Sequence, residues 1–127
     1  MKLQKLEKIV VDALEDIKGR DIEVIDTSRL TSLFERIVVA CGDSNRQVKS
    51  LARNVQDKVR EAGEQVLSCE GEEFGEWVLV DLGDIVVHVM QPAVRAYYNL
   101  EELWGGKGPP RARRFAADAV EAPASVP

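Results

Sequence analysis

Trp77-Val78-Leu79-Val80-Asp81-Leu82-Gly83-Asp84-Ile85-Val86-Val87-His88-Val89-Met90 is the stretch that decides how this chain folds. Two β-rich runs flank Gly83-Asp84, and a two-residue loop with glycine first fits a type II′ turn, whose twist matches that of paired strands. That turn sets the register: Leu82 faces Ile85, Val80 faces Val87 and Val78 faces Val89. Side chains alternate across a strand. One face of the hairpin is therefore Val78, Val80, Leu82, Ile85, Val87 and Val89, aliphatic throughout, and belongs beneath helices. The other face, Trp77, Leu79, Asp81, Val86, His88 and Met90, is mixed. It is either partly covered by the C-terminal helix or offered to a partner. Trp77 and Leu79 beside Asp81 have the make-up of a binding hot spot, an apolar anchor rimmed by charge. A tryptophan packed within the fold accounts for the same pattern.

Outward from the hairpin, helices and strands follow from periodicity. Leu3, Leu6, Ile9, Val10, Ala13, Leu14 and Ile17 recur at helical spacing over residues 2–18, and Gly19 is the expected C′ residue. Ile22, Val24 and Ile25 mark a short strand, and residues 34–41 a second. Gly42-Asp43-Ser44 turns into another helix, with Ser44 as N-cap and Gln47 completing a capping box. Val48, Leu51, Ala52, Val55, Val59 and Ala62 form its buried stripe, and Gly63 stops it. A further strand is expected near 65–69. After the hairpin, Pro92 opens a helical stretch with Tyr97, Leu100, Leu103 and Trp104 as apolar positions. The result is a single α/β domain over residues 1–104, a mixed five-stranded sheet flanked by helices. Residues 105–127, rich in Gly, Pro, Ala and Arg with Phe115 as the one large anchor, read as a mobile tail.

Composition narrows the function. The chain has 127 residues, 45% of them hydrophobic, with 31% charged and a formal net charge of −5. That is a soluble globular balance, and it argues against a free-standing nucleic-acid binder, which needs a basic surface. No apolar run approaches the length of a membrane span, and the N-terminus mixes Lys with Glu, unlike a signal peptide. Cys41 and Cys69 are far apart, as expected of two reduced thiols in a cytosolic protein. Charge is unevenly spread. From Glu61 to Val94 there is no Lys or Arg, yet Glu61, Glu64, Glu70, Glu72, Glu73, Glu76, Asp81 and Asp84 are all acidic. One pole of the domain is thus strongly negative and suited to a basic protein surface, whereas bare RNA would be repelled.

Catalysis finds little support. The one histidine, His88, lies in mid-strand with no nucleophile at a recognisable spacing, so a structural role is expected. Asp81 and Asp84 across a tight turn are the nearest approach to a metal site, and an aspartate in a turn is ordinary. Cys41-Gly42-Asp43-Ser44 runs from strand to helix N-terminus, as a phosphate-binding loop would. It also resembles the opening of nucleotidyltransferase-like domains, but no Asp-x-Asp or Glu-x-Glu follows on a strand to hold magnesium. Neither catalytic residues, nor a metal, nor a cofactor is expected. A nucleotide-binding enzyme on the same fold remains the alternative.

Taken together, Gly19-Arg20-Asp21-Ile22, the block from Val38 to Val48, Glu70-Gly71, the stretch Trp77 to Val89 and the closing Arg95-Ala96-Tyr97-Tyr98-Asn99-Leu100-Glu101-Glu102-Leu103-Trp104 resemble the ribosomal silencing factor, or Iojap-like, family. They occur in the family order over residues 3–104. The resemblance implies a nucleotidyltransferase-like fold that has lost catalysis. It implies a cytoplasmic protein that binds large-subunit ribosomal protein fourteen, blocks joining of the small subunit and represses translation when nutrients are scarce. Family members are commonly dimeric off the ribosome. Carried onto this sequence, the contact centres on Trp77, Asp81, Leu82 and Asp84, with Leu79 and Glu76 supporting. If the Trp77 ring is exposed, its loss weakens ribosome binding by about 2 kcal/mol or more. One departure stands out: where the family usually carries a Thr-Asp-Tyr-like triplet, this chain has Phe34-Glu35-Arg36.

Overall fold

In the computed structural model, which describes residues 2–98, the chain forms α1 (Leu3–Asp16), β1 (Arg20–Asp26), β2 (Arg36–Cys41) and α2 (Asn45–Glu61). Then follow β3 (Ser68–Glu70), β4 (Trp77–Asp81), β5 (Ile85–Met90) and α3 (Pro92–Tyr98). The five strands make one mixed sheet in the order β1-β2-β5-β4-β3. Only the central pair, β2 with β5, is parallel. Its crossover runs through α2, as parallel neighbours require. The hairpin register is the expected one, with Val78 opposite Val89 and Val80 opposite Val87. Leu82 N–H donates to the Ile85 carbonyl at 2.9 Å, and Gly83 supplies the positive φ of +92° that the turn needs.

All six aliphatic hairpin residues enter the larger core, with Val38 and Ala40 from β2. They pack under Leu6, Val10, Ala13 and Leu14 of α1 and Val48, Leu51, Ala52, Val55 and Val59 of α2. The stripe of α2 ends at Val59, because Ala62 is the exposed C-cap. A second, smaller core lies on the opposite sheet face: Ile25, Ile37, Val39, Trp77 and Met90, overlaid by Leu30, Phe34 and Val94.

Two boundaries differ from the sequence reading. Phe34 and Glu35 are not in β2; Phe34 leaves the strand to cover the second core, while the Glu35 and Arg36 N–H groups both donate to the Asp84 carbonyl, at 2.7 and 3.0 Å. The strand expected near 65–69 is the shorter Ser68–Glu70, and Leu67 before it is exposed. Residues 99–127, including the expected helical positions Leu100, Leu103 and Trp104 and the tail with Phe115, lie outside the described residues.

The C-terminus of α1 closes by a device the sequence does not advertise. Lys18, not Gly19, takes the left-handed conformation (φ 62°). The Gly19 N–H donates to the Leu14 carbonyl at 2.8 Å and the Lys18 N–H to that of Glu15 at 2.9 Å, a Schellman pattern. Gly19 is required for another reason: a Cβ there would sit 3.0 Å from the Leu14 carbonyl oxygen and 3.1 Å from a Leu51 methyl. At α2, Ser44 Oγ accepts from the Gln47 N–H at 3.1 Å. The Gln47 side chain does more than a capping box asks. Its Oε1 accepts from the Asp43 N–H at 2.7 Å, and its Nε2 donates to the Ile17 and Lys18 carbonyls at 3.2 Å each. It thereby satisfies orphan groups at the start of one helix and just beyond the end of another. Ser44→Ala is expected to cost about 1 kcal/mol, and Gln47→Ala more, about 2 kcal/mol, since several bonds go at once. Urea denaturation checks this ranking through the midpoints, with the slope unchanged.

Candidate functional site

The mixed hairpin face is built by β4 and β5, and the structure sorts its residues sharply by exposure. Trp77 is 3% exposed, Leu79 2% and Leu82 8%. Leu82 points to the helix side and belongs to the main core. Trp77 belongs to the second core. All three side chains are buried in this structure and show little surface to a partner. The pattern that made Trp77 look like a hot spot has its bland explanation: the ring is packed.

Its packing is specific. Trp77 Nε1–H donates to His88 Nδ1 at 3.0 Å, across strands that place the two side chains diagonally, with ring centroids 5.9 Å apart. Since Nδ1 accepts, the single imidazole proton resides on Nε2. His88 is 1% exposed, and burial pushes its pKa down to about 3, so the ring is neutral at physiological pH. A buried neutral imidazole that serves as acceptor for an indole is a structural element, not a general base.

The acidic members behave differently. Glu76 and Asp84 are exposed and Asp81 is half-buried. Asp81 Oδ1 accepts from the Gly83 N–H at 2.8 Å, bracing the hairpin turn. Glu76 stands at the other end of β4, its carbonyl accepting from the Gln91 N–H at 3.0 Å. The hairpin thus holds carboxylates at both ends of a rigid two-strand unit whose aromatic residue is inside. Pattern reasoning missed the apolar side chains that do reach solvent: Leu67, 59% exposed beside the hairpin turn, and Phe74, 53% exposed in the β3–β4 loop. Neither lies in a periodic element, so alternation gave no signal for them. Glycines on either side of Phe74, at 71 and 75, were the available hint.

Much of the strand-to-helix turn that could have cradled a phosphate is engaged within the fold. Gly42 N–H donates to the Met90 carbonyl, Asp43 N–H to Gln47, and Ser44 Oγ accepts from Gln47. Arg20 pairs with the Asp43 side chain, and Asn45 with Gln91. A Cβ at Gly42 would touch Val48 at 3.0 Å, so the turn is packed against its own helix. Among the described residues no group of three or more His, Cys, Asp or Glu side chains is placed to hold a metal ion. Cys69 is not poised for nucleophilic work either: burial first, and then the neighbouring Glu72 carboxylate, push its thiol up to about 11. Glu72 in turn is held below the ordinary carboxylate range. Burial opposes this, but hydrogen bonds from Gln56, Cys69 and Arg53 prevail. No described helix is long and apolar enough to cross a membrane.

The chain matches, over residues 1–125, the family described as "RsfS: Ribosomal silencing factor during starvation". It is 62% identical over 109 residues to the ribosomal silencing factor RsfS of Chromobacterium violaceum, covering 86% of this chain and 89% of that protein. It is 40% identical over 105 residues to that of Bacillus subtilis, covering 83% and 89%. A crystal structure of a Chromobacterium violaceum protein, 62% identical, superposes with a TM-score of 0.82 over 86% of this chain and 91% of that one. One from Bacillus halodurans, 36% identical, gives 0.73 over 80% and 94%.

Two outcomes test the buried pair. Trp77→Ala is expected to destabilise the fold by about 3–5 kcal/mol, the cost of emptying an aromatic site in a core, seen as a lowered denaturation midpoint before any binding is measured. The imidazole of the unfolded chain protonates near 6.5, whereas in the fold it stays neutral down to about 3. Unfolding therefore takes up a proton throughout that window. The stability that depends on neutral His88 is whole above pH 6.5 and is lost as pH falls, at about 1.4 kcal/mol per unit. Wild-type stability followed from pH 6.5 to 5 will drop by about 2 kcal/mol more than that of His88→Gln; parallel curves would remove the assignment.

Proposed function

Because this chain belongs to the ribosomal silencing factor family, we propose that it binds the large ribosomal subunit through a basic ribosomal protein, large-subunit protein fourteen. There it bars the small subunit and lowers translation when nutrients are limiting. It does so by occupying a surface in the cytoplasm, not by catalysis. The observation that carries this reading is the hairpin with its exposed carboxylates. Glu76 and Asp84 stand at opposite ends of one rigid unit, with Asp81 half-exposed between them, in a stretch free of Lys and Arg from Glu61 to Val94. A fixed array of like charges steers a basic partner and rejects phosphate backbone, so it selects protein over RNA on a ribosomal surface. Trp77 and Leu79 act from within, holding the strands whose ends carry the carboxylates.

The test is subunit joining. Purified protein added to separated subunits is expected to leave them apart on a sucrose gradient at saturating concentration, and normal formation of joined ribosomes would refute the proposal. Asp84→Lys, at an exposed turn position, is expected to slow association with the large subunit about tenfold at low salt and to flatten the salt dependence of the rate. An association rate indifferent to both charge and salt would argue against steering.

A further inference from the structure

We propose that Phe74, carried on the β3–β4 loop, is the apolar anchor by which the domain grips a basic protein surface of the large ribosomal subunit. The proposal rests on the ribosome-binding reading and supplies what the burial of Trp77 and Leu79 leaves open. Phe74 is 53% exposed, and its neighbourhood shows that the loop holds it there. Gly71 and Gly75 both adopt positive φ, +84° and +76°. A Cβ at Gly71 would overlap the Trp77 carbonyl oxygen, and one at Gly75 would lie 2.9 Å from the Asn45 carbonyl oxygen and the Lys49 Cε. Between them the turn closes on itself, with the N–H groups of Phe74 and Gly75 donating to the Gly71 carbonyl at 3.2 and 3.1 Å. Glu72 is tied down from α2 and β3 by Arg53, Gln56 and Cys69. The loop is thus fixed at its start, middle and end.

An aromatic ring on such a platform loses little conformational freedom when it is covered, so more of its burial appears as affinity. What covers it is indicated by charge. Glu70, Glu73 and Glu76 are exposed within four residues of Phe74 in the sequence, and Glu76 joins this loop to the acidic hairpin. Of the α2 cations beside the loop, Arg53 is paired with Glu72 and Lys49 lies against Gly75. An apolar anchor on a loop with a surplus of exposed carboxylates fits a recess between lysines or arginines on a protein better than nucleic acid.

Co-sedimentation of the full chain with purified large subunits, at several salt concentrations, tests this. Phe74→Ala is expected to weaken binding about tenfold or more by a factor that salt does not change, with only a small loss of thermal stability because more than half of the residue is exposed. Phe74→Trp is expected to retain binding, and Leu33→Ala, at another exposed apolar position, to leave it intact. Wild-type affinity in a folded Phe74→Ala protein overturns the anchor while leaving ribosome binding standing. A change in oligomeric state with unchanged subunit binding reassigns the ring to self-association and overturns it likewise. Failure of the wild-type chain to sediment with large subunits removes both readings at once.

Discussion

The pairing of β4 with β5 sets which side of the sheet every neighbouring element must cover. With Val78 opposite Val89 and Val80 opposite Val87, the six aliphatic side chains of the hairpin all face α1 and α2. A slip of one residue would send them to the other face and put Asp81 and His88 under the helices. Two features fix the register at the turn: the positive φ of Gly83 and the Asp81 carboxylate that accepts its N–H. The parallel partner β2 then reads its own alternation against β5, with Val38 and Ala40 toward the helices and Ile37 and Val39 toward the second core. The hairpin turn is also bound to what precedes β2, since the Asp84 carbonyl takes both the Glu35 and Arg36 N–H groups. Turn, sheet and loop are one constraint.

Ion pairs add orientation more than stability. Arg36 reaches Glu7 of α1 at 3.3 Å and Asp26 of β1 at 3.1 Å, tying the helix layer to an edge strand. Arg95 reaches from α3 to the Asp21 carbonyl and to Cys41 Sγ, bracing the irregular start of β1. The departure Phe34-Glu35-Arg36 thereby finds a structural use: Phe34 lies over the second core and Arg36 makes the inter-element pairs. Surface pairs of this kind contribute little each. The apolar layers carry the fold.

Elements with strong periodicity were legible: α1, α2 and the β4–β5 hairpin lie where their patterns put them, and the aliphatic face is the buried one. Their exact ends were not, because ends are decided by hydrogen bonds to remote groups. Gln47 looked like half of a capping box, and its bonds to Ile17 and Lys18 depend on a helix placed thirty residues earlier in the chain. The charge of the hairpin and its surround was legible, but not which of its side chains reach solvent. Alternation puts Trp77 on the mixed face but cannot say that Phe34 and Val94 will be folded over that face. Exposure is a property of what lies on top, and a loop of irregular sequence leaves no period to read.

The two glycines of the β3–β4 loop divide the labour between folding and recognition. Gly71 and Gly75 each meet backbone where a side chain would stand, so the fold holds these positions to a single residue type. The position between them, 74, is more than half exposed, so its side chain is less constrained by the core. If Phe74 is the anchor proposed above, a different side chain there would change how firmly the domain holds its partner while the scaffold stays unchanged. Such a loop is a dial set into a rigid frame.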